Sequence, residues 1–144
     1  MTTKKFACVW VTGALFFTVL AAFSQQGESF RTRLSPVPID VSMQPRVAGS
    51  GSVMATLQGN RLTVSGTFEG MRSAATVAHL HRGPRGIPGP RIADLTVTKA
   101  ASGSVSGSVN LAPPQVEDLR SGRVYVQIHS EGAPEGNLRG WLLP

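Results

Sequence analysis

The stretch from Gly51 to Phe68 reads GSVMATLQGNRLTVSGTF and predicts a β-hairpin. Apolar and polar residues alternate on both sides of Gly59-Asn60, a dipeptide typical of the tight turns that join two antiparallel strands. Alternation with a period of two places successive side chains on opposite faces of a strand, so each half of the hairpin has one apolar face. The stretch therefore favours an all-β domain.

The same alternation recurs along the rest of the chain. Further runs with a period of two cover residues 77–81, 92–98, 103–111, 124–129 and 137–142. A short helix is predicted over residues 113–122, because proline opens the segment and glycine closes it. Residues 83–90 and 130–136 are rich in glycine and proline and predict loops. Together these patterns predict an all-β fold: a Greek-key sandwich or barrel of about seven or eight antiparallel strands with one short helix.

Composition and charge exclude several other classes of protein. The 144 residues include 16 Gly and 10 Pro and only 15% are charged, which argues against a helical bundle or a coiled coil. Lys and Arg number 14 against 8 Asp and Glu, for a net charge of +6. A nucleic-acid-binding surface needs such cations clustered with aromatic residues, but here they are spread along the chain. We therefore expect no nucleic-acid partner.

The N-terminus has the features of a targeting segment. Lys4 and Lys5 precede an uncharged apolar run over residues 6–23, and small residues then lead into a polar stretch. This order predicts a secretory signal peptide over residues 1–24, and hence a secreted or periplasmic protein. The alternative is an uncleaved anchor over residues 6–23 that tethers the domain to a membrane. The single cysteine, Cys8, lies in this segment, so we expect the exported domain to contain no disulfide and no thiolate ligand.

The rest of the chain divides near residue 50. Residues 25–50 contain three prolines and little periodicity, and they predict an extended linker or lead-in segment. Residues 51–144 hold all the alternating runs and are predicted to form the folded domain.

All three histidines fall at the ends of predicted strands. His79 and His81 are two residues apart, so they project from one face of a strand with Cα atoms about 6.6 Å apart. His129 ends a strand whose alternate aliphatic residues would face the core, so its ring is also predicted to point outward. Imidazole nitrogen suits copper, zinc, iron or nickel, and the three rings therefore predict a metal site on the outer face. The alternative is a structural role, with the rings hydrogen-bonded to nearby loops.

Two arginines close to this group have two interpretations each. Arg82 and Arg139 could pair with Glu131 or Glu135, or they could form a cationic rim that attracts anions.

Two distant segments together resemble a CHRD (chordin-type) domain. The first is Ala78-His79-Leu80-His81-Arg82-Gly83 with the loop through Gly89-Pro90, and the second is 125–130 with 134–140. The resemblance covers roughly residues 51–142. It implies that residues 51–144 are a CHRD domain, a β-barrel or sandwich of extracytoplasmic proteins.

The same segments are similar to the copper half of copper/zinc superoxide dismutase. This similarity implies a superoxide dismutase-like barrel with His79, His81 and His129 as ligands of one copper ion. It also implies that Arg139 is a candidate guide for an anionic substrate. A metal-bridging histidine and the zinc-binding loop of that family are missing from the sequence, so a two-metal dismutase is excluded and dismutase-type turnover is not favoured.

The combined expectation is an exported CHRD-domain protein that binds a single metal ion through His79, His81 and His129. Copper is the expected ion and zinc the alternative, for storage, delivery or redox chemistry. The competing hypothesis is a metal-free extracellular module that binds a protein partner through its Gly/Pro-rich loops.

Overall fold

The predicted hairpin is confirmed as part of a β-barrel. The computed structural model describes residues 26–144. Ser50–Gln58 (β2) pairs with Arg61–Glu69 (β3) around the Gly59-Asn60 turn. The other elements are Glu28–Pro36 (β1), Ala75–Arg82 (β4), Arg91–Val97 (β5), Gly103–Asn110 (β6), Pro113–Arg120 (α1), Val124–Ser130 (β7) and Ala133–Trp141 (β8). The short helix is confirmed as α1.

The eight strands close on themselves in the order β1-β2-β3-β6-β5-β4-β7-β8, and neighbouring strands are antiparallel. Strands β4, β5 and β6 lie side by side in chain order, and β3 lies next to β6. This is a Greek-key arrangement. The closed barrel confirms the predicted all-β class.

Alternation along the strands fills the barrel with aliphatic side chains. Leu80 on β4, Val126 and Ile128 on β7, and Leu138 on β8 are each 0% exposed. The residues between them on the same strands therefore point to the outer face. The strand parity predicted for β4 and β7 is confirmed, and it decides which side of the barrel wall the histidines occupy.

A nearly buried carboxylate joins α1 to the barrel. Asp118, 7% exposed, lies 2.6 Å from Arg82 Nη2 and 3.1 Å from Arg123 Nη2. Arg82 therefore has a structural role at the end of β4. Within residues 26–144 neither Glu131 nor Glu135 pairs with it, which corrects the pairing considered from the sequence.

The linker predicted over residues 25–50 is wrong for its first part. Glu28–Pro36 forms β1, which pairs with β2 along its length and closes the barrel against β8. Phe30 and Leu34 face the core and are each 2% exposed. The strand is hard to recognise in the sequence because only these two large apolar residues mark its inner face and prolines follow at its end. The folded unit therefore begins well before residue 51.

The connection from β1 to β2 is also packed against the barrel. Val37 and Val47, 6% and 5% exposed, contact Ala133 in a second, small apolar cluster. Between them, the backbone N–H groups of Ser42 and Met43 donate to Asp40 Oδ1 at 2.8 and 3.0 Å. This segment belongs to the folded unit and is not a linker.

The prediction of a loop over residues 130–136 is wrong as well. A tight turn at Glu131-Gly132 joins β7 to β8, with Ser130 paired to Ala133. Glycine and proline give this segment the composition of a loop, but a register shift in the hairpin marks a bulge, where proline is tolerated in a sheet. The loop predicted over residues 83–90 is confirmed between β4 and β5.

The targeting segment predicted over residues 1–24, its alternative as an anchor over residues 6–23, and Cys8 all lie outside the described residues. Within residues 26–144, no helix has the length and hydropathy that a bilayer crossing requires.

Candidate metal centre

The pairing of β4 with β7 brings the three histidines together. His79 lies opposite Gln127 and His81 opposite Tyr125 on the outer face. His129 is two residues beyond Gln127, so its ring rises from the same face. The centroid of the His79 ring is 5.7 Å from that of His81 and 5.0 Å from that of His129. Two distant stretches of chain therefore meet through this pairing, on the outer face that the strand parity predicts for all three rings.

The separations of the ring nitrogens are close to those of a metal centre. One nitrogen from each histidine lies within 4.8 Å of one from each of the other two. The closest pair is His79 Nδ1 and His129 Nε2, 3.2 Å apart. Two ligands at about 2.0–2.1 Å from one ion with a tetrahedral angle are roughly 3.3 Å apart. The His79 and His129 nitrogens already have this spacing, and the His81 ring brings a nitrogen within 4.8 Å of each.

Backbone carbonyls fix the protonation of two of the rings. His81 Nδ1 is 2.9 Å from the carbonyl oxygen of Gly89, and His129 Nδ1 is 2.8 Å from that of Pro134. A carbonyl oxygen only accepts hydrogen bonds, so in both rings Nδ1 carries the hydrogen and donates it. In the neutral state Nε2 of each ring is then the nitrogen with the lone pair, which is the form that binds a metal ion.

His79 has the opposite orientation. Its Nε2 lies 3.5 Å from Asp94 Oδ1, and its Nδ1 faces His129 Nε2. Asp94 is the residue paired with His79 across β4 and β5, so strand register sets this contact. Since His129 Nε2 is an acceptor, His79 Nδ1 donates to it in the metal-free protein. If His79 Nδ1 held a metal ion, the ring would carry its proton on Nε2 instead, where Asp94 could accept it.

The most telling atom of the cluster is His81 Nε2. It is buried and has no hydrogen-bond partner among residues 26–144. A buried polar atom without a partner costs free energy and is rare in native proteins. Two contacts fix the orientation of the His81 ring. Its Nδ1 donates to the Gly89 carbonyl, and the ring stacks on that of Tyr125 with a centroid distance of 4.9 Å and an interplanar angle of 8°.

The Gly/Pro-rich loop is fastened over the His81 side of the cluster. The backbone N–H of Gly89 donates to the Tyr125 hydroxyl at 2.9 Å, and that hydroxyl donates to the Gly89 carbonyl at 3.3 Å. A side chain at position 89 would collide with the carbonyl oxygen of Arg82. Only glycine therefore allows the loop to approach closely enough to reach His81.

Gln127 connects the histidines to the arginine that the sequence singled out. Its Nε2 donates to the Glu135 carbonyl at 3.2 Å and lies 3.3 Å from His129 Nε2. Its Oε1 accepts a hydrogen bond of 2.6 Å from Arg139 Nε. The guanidinium of Arg139 is 5.4 Å from the centre of the Tyr125 ring. Arg139 is thus beside the cluster, in contact with Gln127, and within the described chain it forms no ion pair with an acidic side chain.

Sequence reasoning identifies the three histidines and misses their hydrogen-bonding partners. Gln127 could have been found, because it lies between Tyr125 and His129 in the outward-facing set of β7. Asp94 and Gly89 could not, since their contacts depend on the β4–β5 register and on the path of the loop.

Burial also keeps two of these imidazoles neutral. The pKa of His79 lies below its usual value of 6.5, first because burial disfavours the charged ring and second because His129 is close. The pKa of His81 is lowered as well, mainly by burial, although the hydrogen bond to Gly89 opposes this. At neutral pH both rings are therefore available as ligands.

The lowered pKa values predict how the stability of the metal-free protein depends on pH. Below about pH 6.5 the unfolded chain takes up protons on His79 and His81 that the folded chain resists, so the free energy of unfolding should fall as the pH decreases. Urea unfolding of the full chain with chelator, between about pH 7.5 and pH 5, measures this. A His79→Gln/His81→Gln variant should have a flatter profile over the same range. Equal slopes in the two proteins would contradict the prediction.

Comparison with protein-family models identifies a family for this chain. The CHRD domain family matches residues 30–142. The chain belongs to the CHRD-domain family. The match begins within β1, so this CHRD domain includes the strand that the sequence analysis had assigned to a linker. CHRD domains occur in extracellular proteins, which is consistent with an extracellular-type module.

No curated protein and no solved structure matches this CHRD chain. The similarity to superoxide dismutase consequently has no support from a relative.

Proposed function

We propose that this CHRD-domain protein is exported and binds one copper ion through His79 Nδ1, His81 Nε2 and His129 Nε2. The observation that carries the proposal is the buried His81 Nε2, which has no partner among the described residues and belongs to a group of three imidazoles within 4.8 Å. A metal ion would give this nitrogen the partner it lacks. The family and the charged and apolar N-terminal pattern support export.

The ligand set favours copper. Three neutral imidazoles suit copper, zinc or nickel, and among divalent ions of the first transition row such sites bind Cu²⁺ most tightly. Zinc is the alternative ion. Copper at three imidazoles with an open coordination position would supply a one-electron redox centre, for use in storage, delivery or redox chemistry.

The hydrogen bonds around the three rings support this proposal. In each ring, the nitrogen that would not bind the metal ion faces an oxygen atom. This oxygen belongs to Gly89 for His81, to Pro134 for His129 and to Asp94 for His79. Such outer contacts orient metal-binding histidines and make them more basic. Gln127 would keep its contacts with Glu135 and Arg139 when His129 Nε2 binds the ion, so Arg139 remains close to the site.

Titration of the full chain with Cu(II) tests this function. We expect one ion per chain at about pH 7.5 and an electron paramagnetic resonance spectrum with hyperfine coupling to imidazole nitrogens. A His79→Ala/His81→Ala/His129→Ala variant should lose both, while Arg61→Gln, an exposed change on β3, should keep both. Less than one ion per chain, or a spectrum unchanged in the triple variant, would exclude the proposed centre. Parallel titration with Zn(II) tests the alternative ion.

The interaction-module hypothesis ranks second because its surface is smaller than expected. It requires two Gly/Pro-rich loops, but the segment 130–136 is largely part of β7 and β8. Loop 83–90 remains, with Ile87 58% exposed. If the wild-type chain binds no Cu(II) and the triple histidine variant folds and still binds a partner through this loop, the module hypothesis replaces the copper proposal.

A further inference from the structure

A groove lies on the outer face of the barrel, next to the histidine cluster: Arg139 and Trp141 line it, and they contact Gln127 and Tyr125. It has a volume of about 740 Å³ and is bounded by β1, β8, part of β2 and loop 83–90. Small-molecule sites in proteins commonly have volumes of roughly 300–1,000 Å³. The groove is therefore large enough for an organic molecule of modest size.

The charged side chains that line the groove are all positive. Four arginines line it: Arg31, Arg33, Arg85 and Arg139. Within the described part of the chain the lining contains no acidic side chain, and none of the four arginines forms an ion pair. Like charges around one concave surface repel each other and raise the local concentration of anions. An anionic ligand would remove that repulsion.

The strands place these cations from distant parts of the sequence. Arg31 and Arg33 alternate on β1 with the core residues Phe30 and Leu34, so both point outward. Arg139 uses Nε to donate to Gln127, which leaves its terminal amino groups for a ligand. Such guanidinium groups bind carboxylate and sulfonate oxygens in pairs of parallel hydrogen bonds.

Apolar side chains line another part of the groove. Trp141 borders the groove, and its Nε1–H donates to the Gly83 carbonyl at 3.0 Å, which fixes the indole ring. Met54 borders the groove from β2 and is 62% exposed, unusual for a large apolar side chain. A flat or branched apolar body could cover these two side chains and gain burial energy.

From this combination we infer that the groove binds a small organic anion: one carboxylate or sulfonate group on an aromatic or branched aliphatic body. The acid group would contact Arg31, Arg33 and Arg85, and the body would lie over Trp141 and Met54. None of the three histidines lines the groove, so the inference requires no bound metal ion, although Arg139 and Trp141 connect the groove to Gln127 and Tyr125 beside the histidines.

Calorimetric titration of the full chain with naphthalene-2-sulfonate, in the presence of a chelator, tests the inference. Its neutral isostere naphthalene-2-sulfonamide and inorganic sulfate are titrated in parallel. We expect the sulfonate to bind at least about tenfold more tightly than either, because only it has both the charge and the apolar body. The indole N–H signal of Trp141, assigned with Trp141→Phe, should shift on addition of the sulfonate.

Two variants separate this site from a general effect of positive charge. Arg31→Gln/Arg33→Gln should weaken sulfonate binding by about tenfold or more, whereas Arg61→Gln, an exposed arginine outside the groove, should change it by less than about twofold. If the double variant fails to fold, Arg85→Gln in loop 83–90 replaces it in this test. Equal affinity for sulfonate and sulfonamide, absence of sulfonate binding, or equal losses in the groove and Arg61 variants would each overturn the inference.

Discussion

The affinity of the full chain for Cu(II) is expected to fall by at least about 100-fold when His81 is replaced by alanine. This ring supplies one of the three proposed ligand nitrogens, and two imidazoles alone bind copper much less well. Loss of an outer contact to a metal-binding histidine typically costs roughly 10- to 100-fold, so the loss of a ligand should exceed that range. Competition with a chromophoric Cu(II) chelator at about pH 7.5 measures the change.

Asp94→Asn should lower the affinity for Cu(II) less than His81→Ala does. It keeps all three ligands and removes the negative charge 3.5 Å from His79 Nε2, together with the exposed ion pair between Asp94 and Arg91, so we expect an intermediate loss of about tenfold. Asp94 is largely exposed, with 72% of its side chain accessible, so the fold should tolerate the change. Wild-type affinity in the His81→Ala protein would defeat the copper proposal, whatever Asp94→Asn does.

The free energy of unfolding is expected to fall by about 3 kcal/mol when Leu80 is replaced by alanine. Leu80 lies between His79 and His81 on β4 but points into the barrel, where it is 0% exposed and packs in the main core cluster. Truncation of a fully buried leucine loses its burial energy and leaves a cavity, at a cost of roughly 2–5 kcal/mol. Urea unfolding of the chelated protein at about pH 7.5 measures the change.

Val77→Ala is the matched control on the same strand. Val77 is 46% exposed, so its truncation should cost less than about 1 kcal/mol. The folded Leu80→Ala protein should also retain Cu(II) affinity within about threefold, because its cavity opens on the opposite side of the barrel wall. If Leu80→Ala were as mild as Val77→Ala, the assignment of the two faces of β4 would be wrong.

Much of the fold can be predicted because its main signal is local. The period of two over residues 51–68 and in the later runs fixes which side chains share a face, and burial of Leu80 and Val126 follows from it. β1 escapes prediction because its inner face has only Phe30 and Leu34 and its sequence ends in prolines. Its place is decided by the open edges of β2 and β8, which need a strand between them to close the barrel.

The candidate site also has features that the sequence predicts and features that only the tertiary structure decides. The outward direction of His79, His81 and His129 is a property of the alternation in two short segments, and the sequence predicts it. Which ring nitrogen holds a proton is decided by Gly89, Pro134 and Asp94, whose positions depend on a loop path, a bulge and a strand register. No local pattern encodes these three contacts, so the sequence alone left both the ligand atoms and the structural alternative open.

By itself, then, the sequence determined the all-β class, the inner and outer faces of β4 and β7, and the three imidazoles on the outer face. The tertiary structure alone decided that these rings meet, that His81 Nε2 is left without a partner in the described chain, and that Arg31 and Arg33 share a groove with Arg85 and Arg139. The physical reason is one of range. Side-chain parity is set by backbone geometry from one residue to the next, whereas neighbours across a closed barrel are set by the order and register of strands far apart in the chain.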